Sequence, residues 1–485
     1  VLRTSEAIAT LTREPKHFGL GVVLIGTFLS VVAHSVAPVT LPSIATEFGS
    51  TLAEVQWVAI AVSLTTAVVV MPTAHLADRL GRKPFFTSGM VLFAATSILA
   101  GWSPSLGTLI AARLLQGVAT AIVGANGVVI AVTLFPDSER GKVLGLISAT
   151  VGFSALLAPA IGGVVVEAGG WRWAYHMLAV PAVIGAVGAW LILKAGLAHP
   201  ATQHSRFDWI GTGSIAGTTS FLVLALTMGP VIDWNAPLVW GSAALALVLG
   251  ATYVWWELHT PHPLFDLRLL TRRAVVTPLT TRIVFMMGFG PAGFLVPFYI
   301  QGVLGLSARD LGFILVPGFA VYTIVAVLAG RLSDRWTAQP FLVGAPLVGL
   351  AGVLILSTFG TDTSIAIVLL GLVIHTSALA LLGSPSFSAM LAAVPSEVFS
   401  VSVGFVNLVG TVVGILGVAL ITAIVTAAMD RVGAEATVAA VASQTVASDA
   451  FLTGWRIAFF IQAIFMVAAT AIGLKYRAPR QAHAS

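Results

Sequence analysis

The chain has 485 residues, of which 58% are hydrophobic and 9% charged, and its mean hydropathy is +0.99. Soluble domains carry roughly 25% charged residues, so this composition describes an integral membrane protein built mostly of helix. Cysteine is absent, which excludes disulfides, zinc–thiolate sites and cysteine nucleophiles. A net charge of +5 could suit nucleic acid, but the cations sit in short loops between apolar runs rather than along one face, and nucleic acid is not an expected partner.

Residues 1–17 are of mixed polarity and show no cleavage site behind an apolar core, so the first span itself is read as the targeting signal. A spanning helix needs about 20 apolar residues. The segments that meet this are 18–39, 55–73, 85–102, 106–134, 143–166, 174–193, 209–229, 237–256, 275–303, 311–330, 340–359, 364–392, 401–428 and 454–474. They number fourteen, and an even number places both termini on one side. Of the 24 Lys and Arg, eighteen fall on that side, four on the other, and two, Arg113 and Arg282, within spans. Positive loops stay in the cytoplasm, so both termini are expected there, in a bacterial-type inner membrane.

The stretch Ala74-His75-Leu76-Ala77-Asp78-Arg79-Leu80-Gly81-Arg82-Lys83-Pro84 joins the second and third spans. It reads as a tight cationic turn. Gly81 permits the turn, Pro84 suits a first helical turn, and Asp78 is expected to accept free N–H groups near a helix start. Arg79, Arg82 and Lys83 gather three cations. The stretch has an echo: Leu332-Ser333-Asp334-Arg335 follows the second helix of a second six-helix set. Such an internal repeat is the mark of a two-bundle transporter. The expected division is a cytoplasmic N-terminus at 1–17, a six-helix bundle at 18–193, a linker with two extra spans at 194–274, a second bundle at 275–474 and a tail at 475–485. The longest outer loop, 429–452, is rich in Ala and Val.

The order L-A-D-R-x-G-R-K resembles the signature loop of the major facilitator superfamily, with Ala74 where the family has its first glycine. Arg113 followed by Gln116-Gly117 resembles the fourth-helix motif. Ala158-Pro159-Ala160-Ile161-Gly162-Gly163 resembles the fifth-helix antiporter motif. Trp171-Arg172-Trp173 with Pro181, His262 to Arg268, and Tyr299-Ile300-Gln301 also resemble family segments. Together they are similar to the fourteen-helix drug:proton antiporter branch. This resemblance implies a major facilitator fold of two six-helix bundles plus two central helices, working by alternating access. It implies export of lipophilic small molecules coupled to proton influx, with no cofactor and no metal. Membrane lipids and protons are the other expected partners. An importer or uncoupled facilitator on the same fold is the rival; an intramembrane enzyme or receptor is remote.

The resemblance also implies roles. Asp78, Arg79, Gly81, Arg82, Lys83, Asp334 and Arg335 would form a conformational latch. Pro159, Gly162 and Gly163 bend a helix and permit close packing; the family associates them with export. Arg113 either snorkels to the outer surface or faces a cavity. Arg282 reads as a snorkelling residue. Asn126, Phe285, Met286, Phe289, Gln301 and Asn407 are candidates for the substrate cavity, and the Gly- and Pro-rich run 288–297 for a deformable gate. All nineteen carboxylates fall in loops or at span ends. Aligned on Pro42, the branch's first-helix aspartate is Ala33, with His34 beside it. Histidine titrates near ~6.5. Proton coupling is therefore expected through His34, then His375, against the alternatives of packing histidines or a boundary acid such as Glu257.

Overall fold

The computed structural model describes residues 2–193, 208–261, 265–333, 335–391, 394, 399–443 and 445–476. Asp334 and the first residues of the His262 segment lie outside the described residues. Among those described, fourteen helices are long and apolar enough to cross a membrane, and they match the expected spans one for one.

The chain divides into two units, residues 1–40 with 58–207, and residues 41–57 with 208–485. The first is built from α1 (Leu2–Ser35), the start of α2 (Ala37–Phe48), α3 (Leu52–Leu80) from Val58 on, α4 (Arg82–Gly101), α5 (Leu106–Thr133), α6 (Arg140–Gly169) and α7 (Trp171–Ile192). The first span is thus broken at Val36, two residues before Pro38, whose missing N–H leaves the His34 carbonyl without its helical donor. Lipid is as apolar as the helix faces, so helices associate by approaching closely at small residues. Gly117 of α5 lies so near α3 that a Cβ there would come within 2.8 Å of the Val62 carbonyl oxygen.

The second unit holds α8 (Trp209–Ile232) and α9 (Pro237–His259), which are the extra hairpin, then α10 (Arg273–Phe289), α11 (Ala292–Phe298) and a π-helical turn at Tyr299–Val303. It continues with α12 (Ala308–Ser333), α13 (Gln339–Ser357), α14 (Ile365–Leu391), α15 (Phe399–Asp430), α16 (Val438–Ser443) and α17 (Thr445–Gly473). The hairpin packs through α8 on α15. The long Ala/Val-rich loop is largely helical. It contains α16, and α17 begins nine residues before the expected span. Thr437 bridges Thr51 there, and Leu52 N donates to Ala436 O at 2.8 Å. That pairing is why residues 41–57 group with the second unit instead of the bundle in which their position in the chain would place them.

The cationic turn differs from its expected form. Helix α3 runs on through Ala74 to Leu80, since Ala and Leu favour helix and nothing interrupts them before Gly81. Only Gly81, at φ 95°, separates α3 from α4. Asp78 therefore lies in the last turn of a helix, not near the start of one, and no side chain caps α4. A carboxylate is disfavoured at a helix C-terminus. Arg82, one turn on, offsets this by pairing with Asp78.

Candidate functional site

The interior of the first unit is organised by Arg113, which is 0% exposed. Its Nη2 donates to Ala33 O at 2.8 Å, its Nε to Val58 O at 3.0 Å and its Nη1 to Gln116 Oε1 at 2.6 Å. Gln116 Nε2 donates onward to Ser97 Oγ at 2.9 Å, and Ser97 Oγ to Phe93 O at 2.7 Å. The guanidinium lies 5.4 Å from the Tyr175 ring, whose hydroxyl meets Thr40 Oγ1 at 3.3 Å. One cation thus links α1, α3, α5 and α7 through carbonyl dipoles, an amide and an aromatic face. It neither snorkels nor stands exposed within its unit. Ala33, the position of the family's acid, contributes its backbone carbonyl.

His34 is half-buried beside that carbonyl, in the last turn of α1. Its Nδ1 lies 2.8 Å from Ser30 O. A carbonyl can only accept, so Nδ1 carries the hydrogen and the neutral ring keeps Nε2 as its basic atom. The helix-five cluster meets the same region. A Cβ on Gly162 of α6 would come within 3.0 Å of Val36 Cγ2, at the break between α1 and α2.

In the second unit, Arg282 corrects the snorkelling expectation. Its Nη1 donates to Ser386 Oγ at 3.3 Å and its guanidinium covers Phe387 at 4.4 Å, which holds it against α14. His375 is buried. Its Nε2 lies 3.2 Å from Phe289 O, and its ring stacks on Phe289 at 4.3 Å with planes 2° apart.

The proposed cavity residues are dispersed. Asn126 is buried in the first unit, where Oδ1 accepts from Arg82 Nη1 at 3.2 Å and Nδ2 donates to Ile122 O at 2.7 Å. Its amide is occupied in joining α5 to the cationic turn. Phe285 is a core residue, fully buried and stacked on Phe289. Phe289 itself is half-buried. Met286 and Gln301 are half-buried, and Asn407 is exposed on its unit. The run 288–297 does interrupt its span, at Gly290 and Pro291. Arg79 and Arg335 are exposed, Gly81 and Lys83 half-buried, and Pro159 and Gly163 buried.

Sequence reasoning passed over two polar groups. Gln462 of α17 is fully buried, and neither atom of its amide has a partner among the described residues. Asp208 caps α8, accepting Gly211 N at 2.7 Å and Trp256 Nε1 at 2.8 Å, next to buried Glu257. An aspartate directly before an apolar helical run is a cap signal legible in the sequence.

Known proteins agree with this architecture. Residues 23–418 match the model of the Major Facilitator Superfamily. The chain is 28% identical over 345 residues to the multidrug transporter protein MdtP of Bacillus subtilis, a match spanning 70% of this chain and 63% of MdtP. It is also 28% identical over 389 residues to the riboflavin transporter RibZ of Clostridioides difficile, covering 79% and 82% of the two chains. The inward-facing, unoccupied structure of a bacterial homolog of the human lysosomal transporter Spinster superposes with a TM-score of 0.67, at 16% identity, over 95% of this chain and 96% of that one. With fourteen spans, two units and matches of this extent, the chain belongs to the major facilitator superfamily and is a membrane transporter, not an enzyme.

Proposed function

We propose that this transporter exports lipophilic small molecules by alternating access, in exchange for protons. The observation that carries this reading is the contact of the Gly162 cluster with the break in the first span, next to a histidine with one basic nitrogen. A helix that can bend beside a titratable group is suited to coupling movement to protonation. The likeness to a multidrug transporter supports a broad, lipophilic substrate class. A cationic interior without a spanning acid suits neutral or anionic amphiphiles best. The likeness to a riboflavin transporter, at equal identity, favours a second reading in which the substrate is a planar vitamin-like amphiphile.

Inverted membrane vesicles with an acidic lumen test both. Gradient-dependent accumulation of a neutral or anionic lipophilic dye is expected, with riboflavin competing only under the second reading. Accumulation that ignores the gradient would make the protein a facilitator. In the same assay Asp78→Asn is expected to slow turnover several-fold at unchanged half-saturation, because the Asp78–Arg82 joint biases a conformational equilibrium. A raised half-saturation with normal turnover would remove the latch role.

Orientation has its own test. The cysteine-free chain allows single substitutions at exposed Gln339 and Glu435. An impermeant maleimide added to whole cells is expected to label Glu435→Cys, and Gln339→Cys only after permeabilisation. The opposite pattern would invert the topology.

A further inference from the structure

The two units repeat one local construction, and its second copy has a donor that the family resemblance does not predict. In the first unit α1 ends at Ser35, the carbonyl of Ala33 in its last turn accepts from a side chain of the fourth span, and Gly162 of the fifth span sits against the break. In the second unit α10 ends at Phe289, and the chain restarts as α11 after Gly290 and Pro291. The carbonyl of Phe289 meets a side chain of the fourth span of the second six-helix set, counted from α10, namely His375 of α14. Gly417 of the fifth span, α15, packs on the break, where a Cβ would come within 2.9 Å of Met287 O and 3.2 Å of Pro291 Cγ.

The correspondence extends to register. Leu76 and Leu332, which open the repeated turn, are 256 residues apart, and so are Ala33 and Phe289. Gly162 and Gly417 are 255 apart. The donor differs in kind and in its place along the fourth span; the acceptor does not.

Carbonyls in the last turn of a helix lack intrahelical donors, and inside a membrane water does not replace them. A break is tolerated where side chains supply the missing partner. We infer that His375 is a positioning residue for transport: its Nε2–H clasps the Phe289 carbonyl and holds α10 and α11 at one fixed angle.

Several features support this. Because a carbonyl only accepts, Nε2 must carry the hydrogen. The ring is set by its stack on Phe289, and Gly352 of α13 lets the His375 backbone approach, since a Cβ there would come within 2.7 Å of His375 N. Its Nδ1 is buried without a partner among the described residues. A second proton on Nδ1 would find no acceptor there, so this histidine serves as a fixed donor and not as the proton carrier. The inference rests on neither the proposed substrate nor proton coupling.

The test measures the break directly. Spin labels on Thr271→Cys and Leu306→Cys flank the broken span, and labels on Gln339→Cys and Thr358→Cys flank the uninterrupted α13 as a control. Pulsed electron–electron resonance reads both distance distributions in the full-length protein. With His375→Leu the distribution across the break is expected to become about two-fold wider, while the α13 pair stays unchanged. His375→Gln, whose amide Nε2 can still donate, is expected to restore the parental width. His375→Asn, whose amide lies nearer the backbone, is expected to behave like leucine. If His375→Leu does not fold, the Gln and Asn variants decide the matter. Parental width in Asn and Leu, equal broadening in Gln, or broadening of the control pair as well would each overturn the clasp and leave His375 as a packing residue.

Discussion

Replacing Arg113 with leucine is expected to destabilise the protein by about 2–4 kcal/mol and to abolish transport. Two effects oppose each other. Leucine removes a buried charge whose desolvation is costly. It also strands Ala33 O, in the last turn of α1, and Gln116 Oε1, which Arg113 now satisfies, while Val58 O inside α3 keeps its helical donor. A stranded buried acceptor costs about 1–3 kcal/mol, so the two together outweigh the relief. Arg113→Lys separates charge from geometry. An ammonium keeps the charge but has no fork to reach α1, α3 and Gln116 together, and it is expected to recover less than half of the loss. Thermal unfolding in detergent measures the stability and vesicle uptake the activity. A leucine variant that melts with the parent and still transports would show that the bundle does not depend on this residue.

His34→Ala is expected to uncouple transport from protons. The parent should accumulate dye several-fold more under an acid-lumen gradient than without one. The variant should lose that dependence and keep downhill movement within about two-fold, because alanine removes the basic Nε2 without breaking the Arg113–Ala33 contact. His34→Gln, which keeps a polar amide and cannot be protonated, should behave as alanine does. A gradient response that survives both substitutions would place coupling elsewhere, with the Asp208 and Glu257 carboxylates on the extra hairpin the next to examine.

Placing polar side chains from sequence succeeded only where the partner was near in the chain. Gly81 was legible because a positive φ between two helices is a local demand that glycine meets without strain. Asp78 was misplaced because α3 runs on past the apolar span to Leu80, and a capping aspartate looks the same as one that ends a helix. Asn126 looked like a cavity amide, yet it is held by Arg82, 44 residues away. Arg282 looked like a snorkelling residue, yet Ser386 and Phe387 hold it from over 100 residues away.

Hydropathy by itself determined the fourteen spans and, in most cases, their boundaries to within a turn or two; the internal repeat and the family were legible in motifs, in Leu76 to Arg79 with its echo at Leu332 to Arg335 and in the segments around Arg113 and Pro159. The spans follow from the local cost of placing residues in lipid or water, which a window of about 20 residues records. Tertiary structure alone decided which way each helix face turns. Arg113 finds Ala33 across 80 residues and His375 finds Phe289 across 86. Hydrocarbon does not distinguish one apolar face from another, so helix rotation is set by close packing at glycines and by buried donors seeking the carbonyls that broken helices leave open.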